Sequence, residues 1–185
     1  MDLTTAREEC VAFGRRIAAH GLVVGPGGNL SVRVGDEIVV KASGVAFEEA
    51  GPDDYVAVNL ADGRCDSEAR KPTCEVLMHR KCYELRADVG AVVHTHSAYA
   101  TGVASSGTQL KAMYPDFAAL IGSDVPTVDY VIPAGMELAR ALGGVIGSAN
   151  AVLLANHGVV AVGVNLREAF YSCLLYTSPS PRDRS

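Results

Sequence analysis

Two apolar runs, each closed by histidine, constrain this chain more than any other feature. Gly90-Ala91-Val92-Val93 leads into His94-Thr95-His96, and Ala151-Val152-Leu153-Leu154-Ala155 leads into Asn156-His157-Gly158. Short continuous apolar runs of this kind read as buried strands. Side chains on a strand alternate faces, so His94 and His96 point the same way at the strand's exit. Three of the chain's five histidines therefore sit at apolar strand ends. Three imidazoles so placed suit a facial metal site, because catalytic zinc commonly keeps three protein ligands and one open position. A lone histidine in such a place is a buried or capping residue. Two on one face and a third at a strand end weaken that alternative without removing it.

The bulk properties narrow the setting. At 185 residues the chain fits one domain. Its hydrophobic content of 49% and charged content of 20% are ordinary for a folded globule. A net charge of −5 argues against a nucleic-acid partner, which calls for a basic face. No apolar run approaches the roughly 18 residues that span a bilayer. Met1-Asp2-Leu3-Thr4-Thr5 lacks the charged and apolar regions of a signal peptide. Cys10, Cys65, Cys74, Cys82 and Cys173 form neither a paired framework nor a Cys-x-x-Cys motif, so a reducing cytoplasm is the expected location. The stretch from Cys173 to Asp183 resembles the translation of a sequencing-library transposase adapter. The alternative is a natural Ser/Pro-rich tail. On the adapter reading, residues 1–172 are a C-terminally truncated domain and 173–185 are a non-native or unstructured appendage.

Along the chain, Thr5-Ala6-Arg7-Glu8 has capping-box form, Cys10, Phe13 and Ile17 trace a helical stripe, and Gly21 can end it. Leu30–Val34 and Ile38–Val40 flank Gly35-Asp36 as a β-hairpin. Tyr55–Val58 reads as a further strand. A helix is expected from about Pro72 to Arg86, with Thr73 as a possible cap and Glu75 in the first turn. Ser97 caps a short helix to Ala104, Val125–Val131 reads as one strand, and Gly135–Ile146 as a helix. Val152–Leu154 and Val159–Val162 pair around the Asn156-His157-Gly158 corner, and Asn165 caps a final helix. Hairpins first and alternating helices later imply a mixed, largely antiparallel sheet with helices on its faces.

Glu75 admits two readings. A carboxylate at a helix start stabilises the exposed amides there, and local sequence favours that. Alternatively it binds the metal or moves a proton beside it. Gly27-Gly28-Asn29, Ser43-Gly44 and Thr73-Cys74 offer the amides and hydroxyls that hold phosphate, provided they converge in space. His20 lies near a helix end, and His79 sits mid-helix as a structural residue.

Together these segments resemble the class II aldolase/adducin family, near its L-fuculose-1-phosphate aldolase branch. The matching pieces are Gly27-Gly28-Asn29-Leu30-Ser31, Lys41-Ala42-Ser43-Gly44, Arg70-Lys71-Pro72-Thr73-Cys74-Glu75, Val93-His94-Thr95-His96-Ser97 and Asn156-His157-Gly158, in family order. The resemblance implies an α/β fold, a three-layer αβα sandwich on a mixed central sheet. It implies one zinc ion per subunit, or another divalent metal, at a subunit boundary of a homotetramer. His94, His96 and His157 match the histidine ligands, and Glu75 the carboxylate that binds free metal and acts as acid/base. Gly28, Asn29, Ser43, Gly44, Thr73 and Cys74 fall at phosphate positions, with Cys74 replacing a usual hydroxyl residue by a weaker donor. Tyr114 lies near a family tyrosine that protonates an intermediate. Family members continue into a helical region that covers the cleft and supplies another tyrosine.

The implied reaction is metal-dependent cleavage of a ketose 1-phosphate, such as L-fuculose 1-phosphate, to dihydroxyacetone phosphate and an aldehyde. A sugar-acid phosphate decarboxylase and a thioribulose-phosphate dehydratase share the scaffold. The pentulose-phosphate 4-epimerase branch carries aspartate at the Glu75 position. A non-catalytic adducin-like interaction module is the alternative of another class, and such modules lack the histidine set.

Overall fold

The structure is a computed structural model that describes residues 1–112 and 115–175. Its centre is a seven-stranded sheet. The chain enters it through α1 (Leu3–Ala19), then β1 (Asn29–Val34), β2 (Glu37–Lys41) and, after a 3₁₀ turn at Pro52–Asp54, β3 (Tyr55–Asn59). Next come α2 (Val76–Leu85), β4 (Ala91–Thr95), α3 (Ala98–Ser105), β5 (Leu110–Lys111) and α4 (Pro115–Ile121). The remainder is β6 (Asp124–Val125), β7 (Thr127–Val128), α5 (Met136–Ile146), β8 (Ala151–Leu154), β9 (Gly158–Gly163) and α6 (Leu166–Leu175). The strand order is β3-β2-β1-β4-β9-β8-β7, and β5 and β6 form a separate pair. Every neighbour in the large sheet is antiparallel except β7 and β8. The mixed, largely antiparallel sheet with helices on both faces is the expected one.

Two apolar layers hold the sandwich. Cys10, Phe13 and Ile17 of α1 pack with Phe170 of α6 against Leu30, Val93 and Val159. On the opposite face, Met78 and Cys82 of α2 and Leu138, Leu142 and Ile146 of α5 cover Val92, Val152 and Val160. Alternation along β4 explains the division, since Val93 and Val92 face opposite layers. Both faces are covered, so β4 and β9 read as continuous apolar runs.

Three local expectations need correction. Helix α1 starts before the Thr5–Glu8 box, because Asp2 caps it by accepting the Thr5 N–H at 2.8 Å. The helix expected from Pro72 begins only at Val76. Residues Ala42 and Pro72 make an isolated bridge, which holds the preceding segment against the sheet instead. The run from Val125 splits at Pro126 into β6 and β7, and these belong to different sheets. Proline lacks the N–H that a continuous ladder needs, although its carbonyl accepts Leu153 N–H at 2.9 Å. The Asn165 cap is as expected, accepting Glu168 N–H at 2.9 Å. Helix α6 continues beyond Ser172, and Cys173 is buried beside Thr95.

Candidate metal centre

Strand register brings the histidines together. Asn29 of β1 pairs with His94 of β4, and His94 with Val160 of β9. His157 lies in the corner before β9, where Asn156 adopts a left-handed φ of 54°. Asparagine tolerates that conformation better than most residues. A Cβ on Gly158 would meet the Thr95 carbonyl oxygen at 2.2 Å, so only glycine lets this corner close onto β4. Gly28, with φ of 67°, is constrained similarly, since a Cβ there would lie 2.8 Å from the His94 carbonyl oxygen.

His94, His96 and His157 converge with Glu75, and one ligand atom from each lies within 4.8 Å of all the others. His94 Nε2 is 3.0 Å from His96 Nε2 and 3.3 Å from Glu75 Oε2. His157 Nε2 is 3.1 Å from Glu75 Oε1. Donors arranged tetrahedrally at about 2.0–2.1 Å from one zinc ion stand roughly 3.3 Å apart, so the set fits a common cation. The tautomer agrees. His94 Nδ1–H donates to the Val159 carbonyl at 2.9 Å, which leaves the Nε2 lone pair aimed at the cluster. Glu75 Oε1 and His157 Nδ1 are buried without an aligned hydrogen-bond partner, and for the carboxylate oxygen a cation removes that cost. The four residues could hold a metal ion.

Burial dominates the electrostatics. It pushes the His94 imidazole well below its ordinary range, which favours the neutral ring that can ligate. It lowers His96 in the same way. For Glu75 burial works upward, but the facing histidines and the Asn29 amide outweigh it and hold the carboxyl below its usual range. Glu75 occupies the residue before α2 yet makes no side-chain cap bond to that helix. Its carboxylate faces His94 and His157 instead.

A cavity of about 270 Å³ opens beside the cluster. Its lining includes Gly28, Asn29, Ser43, Gly44, Thr73 and Cys74 together with Glu75, His96 and His157. Every residue expected at a phosphate position thus lines the same space as Glu75, His96 and His157. The volume lies just under the ~300 Å³ at which small-ligand sites usually begin. Lys41, which sequence reading left without a role, also lines it. Its ammonium donates to the Pro26 carbonyl at 2.9 Å and the Val45 carbonyl at 2.5 Å, tying the two loops on either side. Desolvation lowers the Lys41 pKa to about 8. The signal for Lys41 was a single cation directly after the apolar run Ile38-Val39-Val40. His79 is fully buried, as expected for a structural residue, but it bonds Asn29 and Ser31, a link that sequence reading did not anticipate. Tyr114 lies outside the described residues.

Among the described residues, no helix is long and apolar enough to cross a membrane. Residues 8–177 match the family model described as Class II Aldolase and Adducin N-terminal domain. A 5-deoxy-D-ribulose 1-phosphate aldolase of Bacillus thuringiensis serovar kurstaki is 39% identical over 172 residues, 92% of this chain and 80% of the relative. An L-fuculose phosphate aldolase of Methanococcus maripaludis is 33% identical over 170 residues, 92% of this chain and 89% of its own. A solved structure of an L-fuculose 1-phosphate aldolase superposes with a TM-score of 0.86 at 32% identity, covering 92% of this chain and 80% of that one. Sheet order, histidine cluster and these likenesses agree, and the chain belongs to the class II aldolase and adducin family.

Proposed function

We propose that this site cleaves a ketose 1-phosphate reversibly to dihydroxyacetone phosphate and an aldehyde. His94, His96, His157 and Glu75 would hold a divalent cation, zinc by preference. The observation that carries the reading is that Glu75, His96 and His157 of this His₃Glu set line one cavity with Gly28, Ser43, Gly44, Thr73 and Cys74. Relatives named for 5-deoxy-D-ribulose 1-phosphate and for L-fuculose phosphate support the substrate class.

When bound, the cation supplies a Lewis acid beside the substrate carbonyl. The protein's residues do the rest. In cleavage, the bond between C3 and C4 breaks, the C4 hydroxyl gives its proton to solvent, from which the Glu75 carboxylate takes one up, C4 becomes the aldehyde, and the electron pair passes to C3. Glu75 delivers a proton to C3, and in the synthetic direction removes it. The Gly28, Ser43 and Thr73 loops anchor the phosphate, so binding at a remote group places C3 against the carboxylate. Asn29 Nδ2–H donates to Glu75 Oε2 at 2.8 Å and holds it in place. Cys74 offers its backbone amide, since its thiol is a weak donor.

Glu75→Gln keeps an oxygen for the cation but cannot take the proton. The expected result is retained zinc with loss of proton exchange at C3 of dihydroxyacetone phosphate. Unchanged exchange would refute the role. A panel of phosphorylated ketoses and sugar acids, assayed after dialysis and zinc restoration, separates lyase from decarboxylase. The same reading expects a homotetramer acting in the cytoplasm, for which light scattering gives the assembly.

A further inference from the structure

A polar seam runs between β1 and α2 on the face that carries the site. Two strand residues advance about 6.6–6.8 Å and four helix residues about 6.0 Å. Asn29, Ser31 and Arg33 therefore keep step with Glu75, His79 and Tyr83. The contacts zigzag between the two rows. Asn29 Nδ2 reaches Glu75 Oε2 at 2.8 Å, and Asn29 Oδ1 meets His79 Nε2 at 2.5 Å. His79 Nδ1 lies 2.7 Å from Ser31 Oγ, and Ser31 Oγ 2.8 Å from Tyr83 Oη. The Arg33 guanidinium stacks over the Tyr83 ring at 5.0 Å and closes the seam. Asn29, Ser31, His79 and Tyr83 are all buried.

The carboxylate at one end determines the direction of every bond. An ionised carboxylate only accepts, so Asn29 must turn its NH₂ toward Glu75, with the second hydrogen on Thr73 Oγ1 at 3.0 Å. Asn29 Oδ1 is then an acceptor and His79 Nε2 must carry the proton. A neutral ring leaves Nδ1 to accept from Ser31 Oγ–H, and Ser31 Oγ in turn accepts from Tyr83 Oη–H. Complete burial keeps that ring neutral, with a pKa lowered to about 4. We infer that His79, backed by Ser31 and Tyr83, is a positioning residue that locks the Asn29 amide and through it the attitude of the Glu75 carboxylate. The inference rests on the aldolase reading for its kinetic consequence but not for the tautomer. Without the His79 donor, Asn29 Oδ1 loses its partner and the amide is held only through its NH₂ by Glu75 and Thr73, which loosens its hold on the carboxylate.

The first test is ¹⁵N-histidine NMR on the full chain between pH 6 and 9, with His79 assigned by its loss in His79→Gln. The expected signal is a neutral ring protonated at Nε2. A ring protonated at Nδ1 would overturn the inference. The second test compares His79→Leu with His79→Gln, whose amide can still donate to Asn29. His79→Leu should lower kcat for C3 proton exchange on the order of 10–100-fold, the scale for outer partners of a metal site. KM for dihydroxyacetone phosphate should change less than kcat, since Gly28, Ser43 and Gly44 have no contact with His79. His79→Gln should recover most of the loss. Equal losses in both variants, or a loss confined to KM, would count against positioning. If His79→Leu does not fold, Tyr83→Phe replaces it as the chain-breaking variant, and an unchanged His79 spectrum and kcat there would overturn the Ser31–Tyr83 part. Wild-type protein that exchanges no proton defeats the aldolase reading while the tautomer result stands.

Discussion

Replacing Gly158 by alanine probes the closure that assembles the site. The added Cβ would lie 2.2 Å from the Thr95 carbonyl oxygen and 3.2 Å from His96 Cδ2. Carbon–oxygen contacts settle at about 3.3–3.6 Å, so β4 and β9 must part by roughly 1 Å there. Both contacting atoms belong to the segment that presents His94 and His96, and His157 is the adjacent residue. Overpacking of this kind costs about 1–3 kcal/mol. For a chain of this size that is a fall in Tm of about 2–12 °C. The same displacement spreads the ligands, so zinc affinity should fall at least about tenfold, the lower scale for a disturbed ligand shell. Thermal unfolding with and without zinc, and zinc competition against a chromophoric chelator, read the two effects. A useful control is Gly144→Ala on the exposed side of α5, where the Cβ meets nothing within 4 Å. It should stabilise by about 0.4–1 kcal/mol. A Gly158→Ala protein with unchanged Tm and unchanged chelator midpoint would refute the argument that β4 and the corner meet this closely.

Other consequences follow from burial and charge. His79 is depressed from 6.5 to about 4, so below pH 6.5 the unfolded chain binds the proton more readily than the folded one. Stability therefore declines as pH falls from about 6.5 to about 4, by on the order of 3 kcal/mol at 1.36 kcal/mol per pH unit. Urea titrations of metal-free protein across that window should show a shallower decline in His79→Gln. Leu142→Ala empties a fully buried position under α5 and should cost about 2–5 kcal/mol by the same titration at neutral pH. Lys41→Met removes the tie between the Pro26 and Val45 loops. KM for phosphorylated substrate should rise about tenfold, near the lower value of a charged hydrogen bond, with kcat nearly unchanged. Saturating zinc at about 1,000 times its Kd should add about 4 kcal/mol to wild-type stability, and His94→Ala should lose most of that gain.

Much of this was legible in the sequence because it depends on local periodicity. The runs ending at His94 and His157 are strands because short apolar stretches between turn residues have few other outcomes, and the Gly35-Asp36 hairpin is a matter of turn chemistry. The metal candidates followed from the same alternation. The breaks came where distant contacts overrode local signals. Pro72 and Thr73 carry helix-start chemistry, yet the bridge of Pro72 to Ala42 holds that segment against the sheet. Pro126 divides a run whose apolar character alone suggested a single strand.

What spacing alone determined is which residues share a face, as His94 does with His96. Alternation and helical pitch are properties of the backbone, present before any long-range contact forms. What only the tertiary structure decided is which faces meet. The β1–β4–β9 register sets Asn29 opposite His94, the packing of α2 on β1 turns Glu75 from a helix-end carboxylate into a partner of two imidazoles, His94 and His157, and Lys41 gains its two carbonyls from separate loops. Those pairings depend on layers closing over a shared core, and free energy of that kind belongs to no single segment.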